Sequence, residues 1–170
     1  MASQTINFLL DANVFIEAHR RYYAFDICPG FWDALILDYK QINLHSVDKV
    51  WEELSGKDQL TKWIKSSIPK KFFLSSDDAG VIKSYGEIQN WAQAQPQFKD
   101  AAKAEFARKA DAWLIAYAKA KGFVVVTHEE YSADVKKKIP IPNVCKAFDV
   151  EYSDTFQMLR ALKSRFVLDK

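Results

Sequence analysis

A chain of 170 residues, 49% hydrophobic and carrying five Trp and twelve Phe, has the material for one sizeable core, while five Gly, five Pro and no low-complexity tract exclude a disordered or fibrous chain. A formal net charge of +2 excludes the strongly basic balance of many nucleic-acid-binding domains, so any polynucleotide contact must come from local patches. No apolar run approaches the roughly 20 residues that cross a bilayer, the start MASQTINFLLDANVF lacks the plan of an export signal, and Cys28 and Cys145 lie far apart without metal-ligand spacing; a soluble cytoplasmic protein with reduced thiols is expected.

Along the chain, Ile6–Leu10 is a short apolar run, broken only by Asn7 and ending at Asp11, as in a strand buried on both faces. Asp11 or Asn13 can cap a following helix bearing Val14, Phe15 and Ala18. Pro29 opens a helix through Trp32, Leu35, Ile36 and Tyr39. Ile42–His45 suits a second strand; Ser46 or Asp48 then caps a helix with Val50, Trp51 and Leu54 that Gly56 ends. A helix over Gln59–Ser66 stops before Pro69, and Phe72–Leu74 is the third strand. Ser75-Ser76-Asp77-Asp78 opens a helix that Gln95-Pro96-Gln97 breaks. Ala101–Lys121 reads as one long helix of high propensity, ended by Gly122, and Phe123–Val126 as a strand. Residues 136–146 read as a basic loop punctuated by Pro, followed by a last strand at Phe148–Val150 and a helix from Ser153 to Leu162. Strands alternating with helices over residues 1–170 predict a single α/β domain, a three-layer α/β/α sandwich around a parallel sheet of four or five strands, with ligands at the carboxyl edge of the sheet.

Four acids fall where that edge is expected. Asp11 ends the first strand; if Asn13 takes the cap, Asp11 is free for another role. Glu53 stands near a helix end at the border of a buried face, with Glu52 pointing elsewhere. Asp111 lies among Ala110, Ala112, Trp113 and Leu114, where an unpaired carboxylate is costly unless a cation compensates it. Glu129 follows the strand Phe123–Val126. Carboxylates gathered at one edge repel one another unless neutralised, and an all-oxygen donor set suits a hard divalent ion, Mg²⁺ or Mn²⁺, of the kind used in phosphoryl chemistry.

In order along nearly the whole chain, FLLDANVFI, VWEELSG, ADAWLIAYAKAKG and FVVVTHEE resemble the PIN-domain family. The stretch KKKIPIPNVC is similar to PIN-like proteins grouped with VapC-like ribonuclease toxins. The resemblance implies metal-dependent endonucleolytic hydrolysis of RNA with Mg²⁺ or Mn²⁺, by a toxin paired with a cognate antitoxin protein; the aromatic surplus fits a face buried against such a partner or against a second copy in a homodimer. By the same resemblance Asp11, Glu53, Asp111 and Glu129 form the catalytic and metal-binding set, with Asn13 and Thr127 supporting them through hydrogen bonds. Glu129 stands where many members carry Asp, which favours a water-mediated contact with the ion over a direct one.

RNA approaching such an acidic site needs cations around it. Lys136, Lys137 and Lys138 and Arg20 are the candidates, with Arg21, Arg108 and Lys109 next. Tyr22, Tyr23 and Phe25 suit either base stacking or a buried cluster, and His128, His19 and His45 fit structural roles. Two other classes compete. A haloacid-dehalogenase-like phosphatase wants D-x-D where this chain has Asp11-Ala12-Asn13-Val14, and a receiver wants an extra acidic pair near the start. A catalytically degenerate PIN-fold binding module is the other alternative.

Overall fold

Two apolar runs buried on both faces make the centre of the sheet. In the computed structural model, which describes residues 6–41 and 44–168, β1 (Phe8–Leu10) is wholly buried and pairs in parallel with β4 (Val124–Val126), in the register Phe8 to Val124 and Leu10 to Val126. On its other side β1 pairs with β2 (Leu44–Val47). Two short outer strands, β3 (Phe73–Leu74) beside β2 and β5 (Tyr152–Ser153) beside β4, complete a five-stranded sheet of order β3-β2-β1-β4-β5. Every pairing is parallel, so every carboxyl end lies at one edge.

Helices form the outer layers of a three-layer α/β/α fold: α1 (Ala12–Glu17), α2 (Pro29–Gln41), α3 (Asp48–Leu54), α4 (Gln59–Ser67), α5 (Ala79–Ala94), α6 (Asp100–Arg108), α7 (Asp111–Lys121), α8 (Ile141–Ala147) and α9 (Thr155–Ala161). The buried apolar side chains form one connected cluster running from Phe8 to Leu159, with Trp32, Phe15, Phe31 and Phe72 its largest fully buried members. No helix among the described residues is long and apolar enough to cross a membrane. Gly122, at φ +73°, supplies the left-handed residue that ends α7 and turns the chain into β4.

Four local expectations are corrected. The long helix over Ala101–Lys121 is two helices: Lys109 is extended (φ −85°, ψ 161°), and the Ala110 N–H leaves the helical ladder to donate to Glu53 Oε1 at 2.7 Å. The loop expected over residues 136–146 contains α8, whose Pro142 sits in the first turn, where a missing N–H costs nothing. Phe148–Val150 is a turn, with Asp149 at φ +55° and Val150 N–H donating to the Cys145 carbonyl, and the last strand lies at Tyr152–Ser153. Ser46 is a buried strand residue rather than a cap, its hydroxyl donating to the Leu10 carbonyl at 2.6 Å. Asp48 starts α3, and its carboxylate accepts from the backbone and hydroxyl of Ser76. Of the strand expected at Ile42–His45, Ile42 and Asn43 lie outside the described residues.

Candidate active site

From β1 the chain builds outward through β2 to β3 on one side, and β4 and β5 lie on the other. The order therefore reverses between β1 and β4, the place where open α/β sheets bind ligands. Asp11 is the first residue past β1 and Thr127 the first past β4. Because Leu10 stands opposite Val126, the register brings the two side by side: Asp11 N–H donates to the Val126 carbonyl at 3.0 Å, and Thr127 Oγ1 donates to Asp11 Oδ2 at 2.9 Å. Asp11 occupies the cap position of α1, yet neither it nor Asn13, the second residue of α1, makes a side-chain cap. The Asp11 carboxylate is turned toward Thr127 instead.

Asp111 opens α7 and reaches the same region. Its apolar neighbours suggest a place in mid-helix, but it sits in a first helical turn, where a carboxylate complements the helix dipole. Asp11 and Asp111 are 3% and 8% exposed, and no side-chain cation among the described residues bonds to either. Burial is the main reason the Asp11 acid is pushed up to about 6; the Thr127 hydroxyl opposes the rise, and the charges of Glu129 and Glu53 add to it. Asp111 is pushed up to about 8, first by burial and then by the charges of Asp11, Glu129 and Glu53, with Lys109 working weakly the other way. The four acids are thus brought together electrostatically.

The two glutamates differ from the aspartates in having donors of their own. Glu53, near the end of α3, accepts the Ala110 N–H. Glu129 accepts the Ile141 N–H through Oε2 at 2.8 Å and the Lys138 ammonium through Oε1, leaving its side chain 9% exposed. Its own N–H donates to Thr127 Oγ1, so Thr127 links Asp11 and Glu129. Among the described residues no three His, Cys, Asp or Glu side chains converge closely enough to enclose a metal ion by themselves. An ion here would be held by one or two carboxylates and its own waters, the manner in which Mg²⁺ is commonly bound.

Beside Glu129 runs a groove of about 570 Å³, lined by Asn13, Glu17, Tyr22, His128, Glu129, Glu130, Ser132, Val135, Lys138 and Pro140. Of the expected RNA contacts, Lys136, Lys137 and Arg20 are exposed, whereas Lys138 is bound to Glu129. Arg21 pairs with Glu17 and Lys109 with Glu105. Tyr23 stacks on Phe31 with centroids 4.3 Å apart and Phe25 lies 4.4 Å from Trp32, so both belong to the packed cluster; Tyr22 is 58% exposed. His19 and His45 pack on Phe25 and Tyr39. His128 bonds to Thr155 through Nε2. Phe156, against Tyr22, carries no signal in the sequence, because only the packing of α9 shows which of its faces stays outside. Cys28 and Cys145 are unpaired thiols, and burial pushes the Cys145 thiol up to about 12.

Residues 8–166 match the model of the family described as a domain of unknown function, DUF4411, and the chain belongs to that family. No curated protein matches. Among solved structures, a chain from the structure of FitAB bound to an IR36 DNA fragment superposes with a TM-score of 0.52 at 20% identity, over 86% of this chain and 94% of that one. At that identity the likeness speaks for the fold, which is PIN-like.

Proposed function

We propose that this DUF4411 chain is a Mg²⁺- or Mn²⁺-dependent endoribonuclease hydrolysing RNA phosphodiester bonds, and that it acts in the cytoplasm as the toxin of a toxin–antitoxin pair. The observation that carries the reading is the pair of buried aspartates at the strand-order reversal, each held well above the usual carboxylate range and neither bonded to a cationic side chain among the described residues. Such a pair is costly unless a cation joins it, and the donors are all oxygen, which suits a hard divalent ion. When bound, such an ion supplies Lewis-acid activation of water and neutralisation of charge at the phosphoryl group.

The chain's own residues divide the work around that centre. Asp11 and Asp111 would hold the ion. Thr127 orients Asp11 and, by donating to its carboxylate, favours the ionised form that a ligand requires. Glu53 pins the start of α7 and so fixes where Asp111 begins. Glu129, already bonded to Ile141 and Lys138, would contact the ion through water rather than directly. Lys136, Lys137 and Arg20 offset the charge of an incoming RNA strand. The antitoxin partner rests on the resemblance to VapC-like toxins and on the PIN-like fold, and FitAB is itself bound to DNA in its solved structure.

A second reading, a PIN-fold module that binds RNA without cutting it, has one observation in its favour. Both glutamates spend carboxylate oxygens on protein donors, and no three ligating side chains converge among the described residues. One experiment separates the two. The nuclease should show a Mn²⁺-dependent rise in melting temperature that Asp11→Asn abolishes, together with RNA cleavage that needs Mg²⁺ or Mn²⁺. Purified protein that binds RNA, cleaves none with either ion and shows no such rise is the binding module.

A further inference from the structure

We propose that Tyr22 and Phe156 form a stacking subsite for an unpaired nucleobase beside the groove that Tyr22, His128 and Glu129 line. The proposal rests on the ribonuclease reading for the identity of the strand, and on its own geometry for the subsite.

Tyr22 ends a single π turn, Ala18–Tyr22, closed by the Tyr23 N–H donating to the Ala18 carbonyl at 2.9 Å. Such turns are rare and concentrate at functional sites, because the inserted residue rotates the side chains that follow it. Here neighbouring tyrosines point to opposite environments. Tyr23 goes inward, stacked on Phe31, while Tyr22 stays 58% exposed and lines the groove with Asn13 and Glu129. Phe156 is in the same position on α9. Thr155, Met158 and Leu159 take the buried face of that helix, which leaves Phe156 outside at 38% exposure.

The two rings meet edge to face, 6.0 Å apart at 76°, an arrangement that leaves ring surface open. His128, which also lines the groove, lies edge-on to Phe156 at 6.4 Å, and its Nε2 shares a hydrogen bond with Thr155 Oγ1 at 3.0 Å. Three separate elements therefore support one small aromatic surface beside an acidic site. Aromatic faces bind bases without regard to sequence, whereas a base inside a duplex has its own faces already covered. Asn13 and Ser132 in the groove offer hydrogen bonds suited to a base or ribose rather than to an apolar protein segment, and Lys138 and, on the ribonuclease reading, a bound cation offset the carboxylates beside them.

The test uses full-length Asp11→Asn protein, so that nothing is cut, and a short fluorescein-labelled single-stranded RNA read by fluorescence anisotropy. Tyr22→Ala and Phe156→Ala should each weaken binding about tenfold or more, the usual effect of losing one base-stacking partner. Tyr22→Phe should restore it. An abasic strand of the same length should bind Asp11→Asn protein as weakly as the intact strand binds the Tyr22→Ala form, and Tyr22→Ala should cost the abasic strand nothing further. Equal binding of single strand and duplex, or an equal loss on Tyr22→Ala for intact and abasic strands, overturns the proposal. So does a Tyr22→Ala protein that binds RNA normally but turns a dimer into a monomer, which would make the ring pair a contact between copies. A wild-type protein that cleaves RNA with Mn²⁺ yet shows no stacking signature sinks the subsite alone. A protein that never cleaves but loses single-strand binding on Tyr22→Ala supports the subsite and sinks the nuclease.

Discussion

Replacing Asp111 by Asn should stabilise the ion-free protein at neutral pH and not in acid. In the unfolded chain Asp111 titrates near the ordinary value of 3.8, and in the fold it is pushed up to about 8. A carboxyl whose folded value is raised binds its proton more tightly in the folded state, so its contribution to stability is complete below about 3.8 and is lost as pH rises toward about 8. At about 1.4 kcal/mol per pH unit, the penalty at neutrality is on the order of 4 kcal/mol. Asn escapes that penalty but brings a buried amide in place of an acid with no side-chain hydrogen bond, at a cost of about 1–2 kcal/mol. The net gain is about 2–3 kcal/mol, which for a domain of this size is roughly 5–10 °C in melting temperature at neutral pH. Thermal melts with a chelator present, from about pH 4 to about pH 8, should show the two proteins level or slightly inverted in acid and diverging as pH rises. Adding Mn²⁺ should raise the wild type and leave the variant where it was. A melting-temperature difference that stays constant across that pH range, or a variant less stable than wild type at its alkaline end, would refute the argument that Asp111 is held against its preferred ionisation.

Three further outcomes concern single hydrogen bonds and surface charges. Thr127→Ala removes the one side-chain donor on Asp11 among the described residues, so the Asp11 acid should rise further and the acidic limb of the Mn²⁺-dependent cleavage profile should move to higher pH; an unmoved limb would disconnect Asp11 from catalysis. Glu53→Ala leaves the buried Ala110 N–H without its acceptor and should cost about 1–3 kcal/mol in denaturant melts, while Glu53→Gln, which keeps an acceptor oxygen, should cost less. Lys136→Ala with Lys137→Ala, on an Asp11→Asn background, should weaken RNA binding and flatten its dependence on log salt by about 0.7 for each phosphate no longer neutralised; an unchanged slope would return both lysines to the solvated surface.

The parts of the fold legible in the sequence are those set by local burial. Phe8–Leu10 and Val124–Val126 are apolar without alternation because both their faces are covered, and their parallel pairing puts Asp11 beside Thr127. The parts that are not legible depend on partners far along the chain. Apart from Asp111 nothing between Ala101 and Lys121 disfavours helix, and at the break after Arg108 Glu53, 57 residues before Ala110, takes the Ala110 N–H. Strand β3 falls within the expected Phe72–Leu74, whereas the two-residue β5 carries too little pattern to be located, and α8 hides behind two prolines that the start of a helix tolerates. Asp111 stands out in the sequence as an odd residue in mid-helix, but it begins a helix. What singles it out in the fold is the company of Asp11 and the lack of a bonded cation.

The same contacts explain why two of the four acids are glutamates. Helix starts expose N–H groups that local side chains often satisfy. At α7 the cap position is Ala110 and at α8 it is Pro140, neither of which has a side-chain acceptor. Glu53 supplies the missing acceptor to Ala110 and Glu129 supplies it to Ile141, the first residue of α8. Both therefore act as caps reaching from other elements, a task for which the extra methylene of Glu over Asp gives reach. For Glu129 that reach is used on the Ile141 N–H. The carboxylate that could otherwise sit against an ion is drawn toward α8 and Lys138. Among the described residues the acidic edge thus separates into two aspartates bonded to no cationic side chain and two glutamates bonded to the starts of the helices around them.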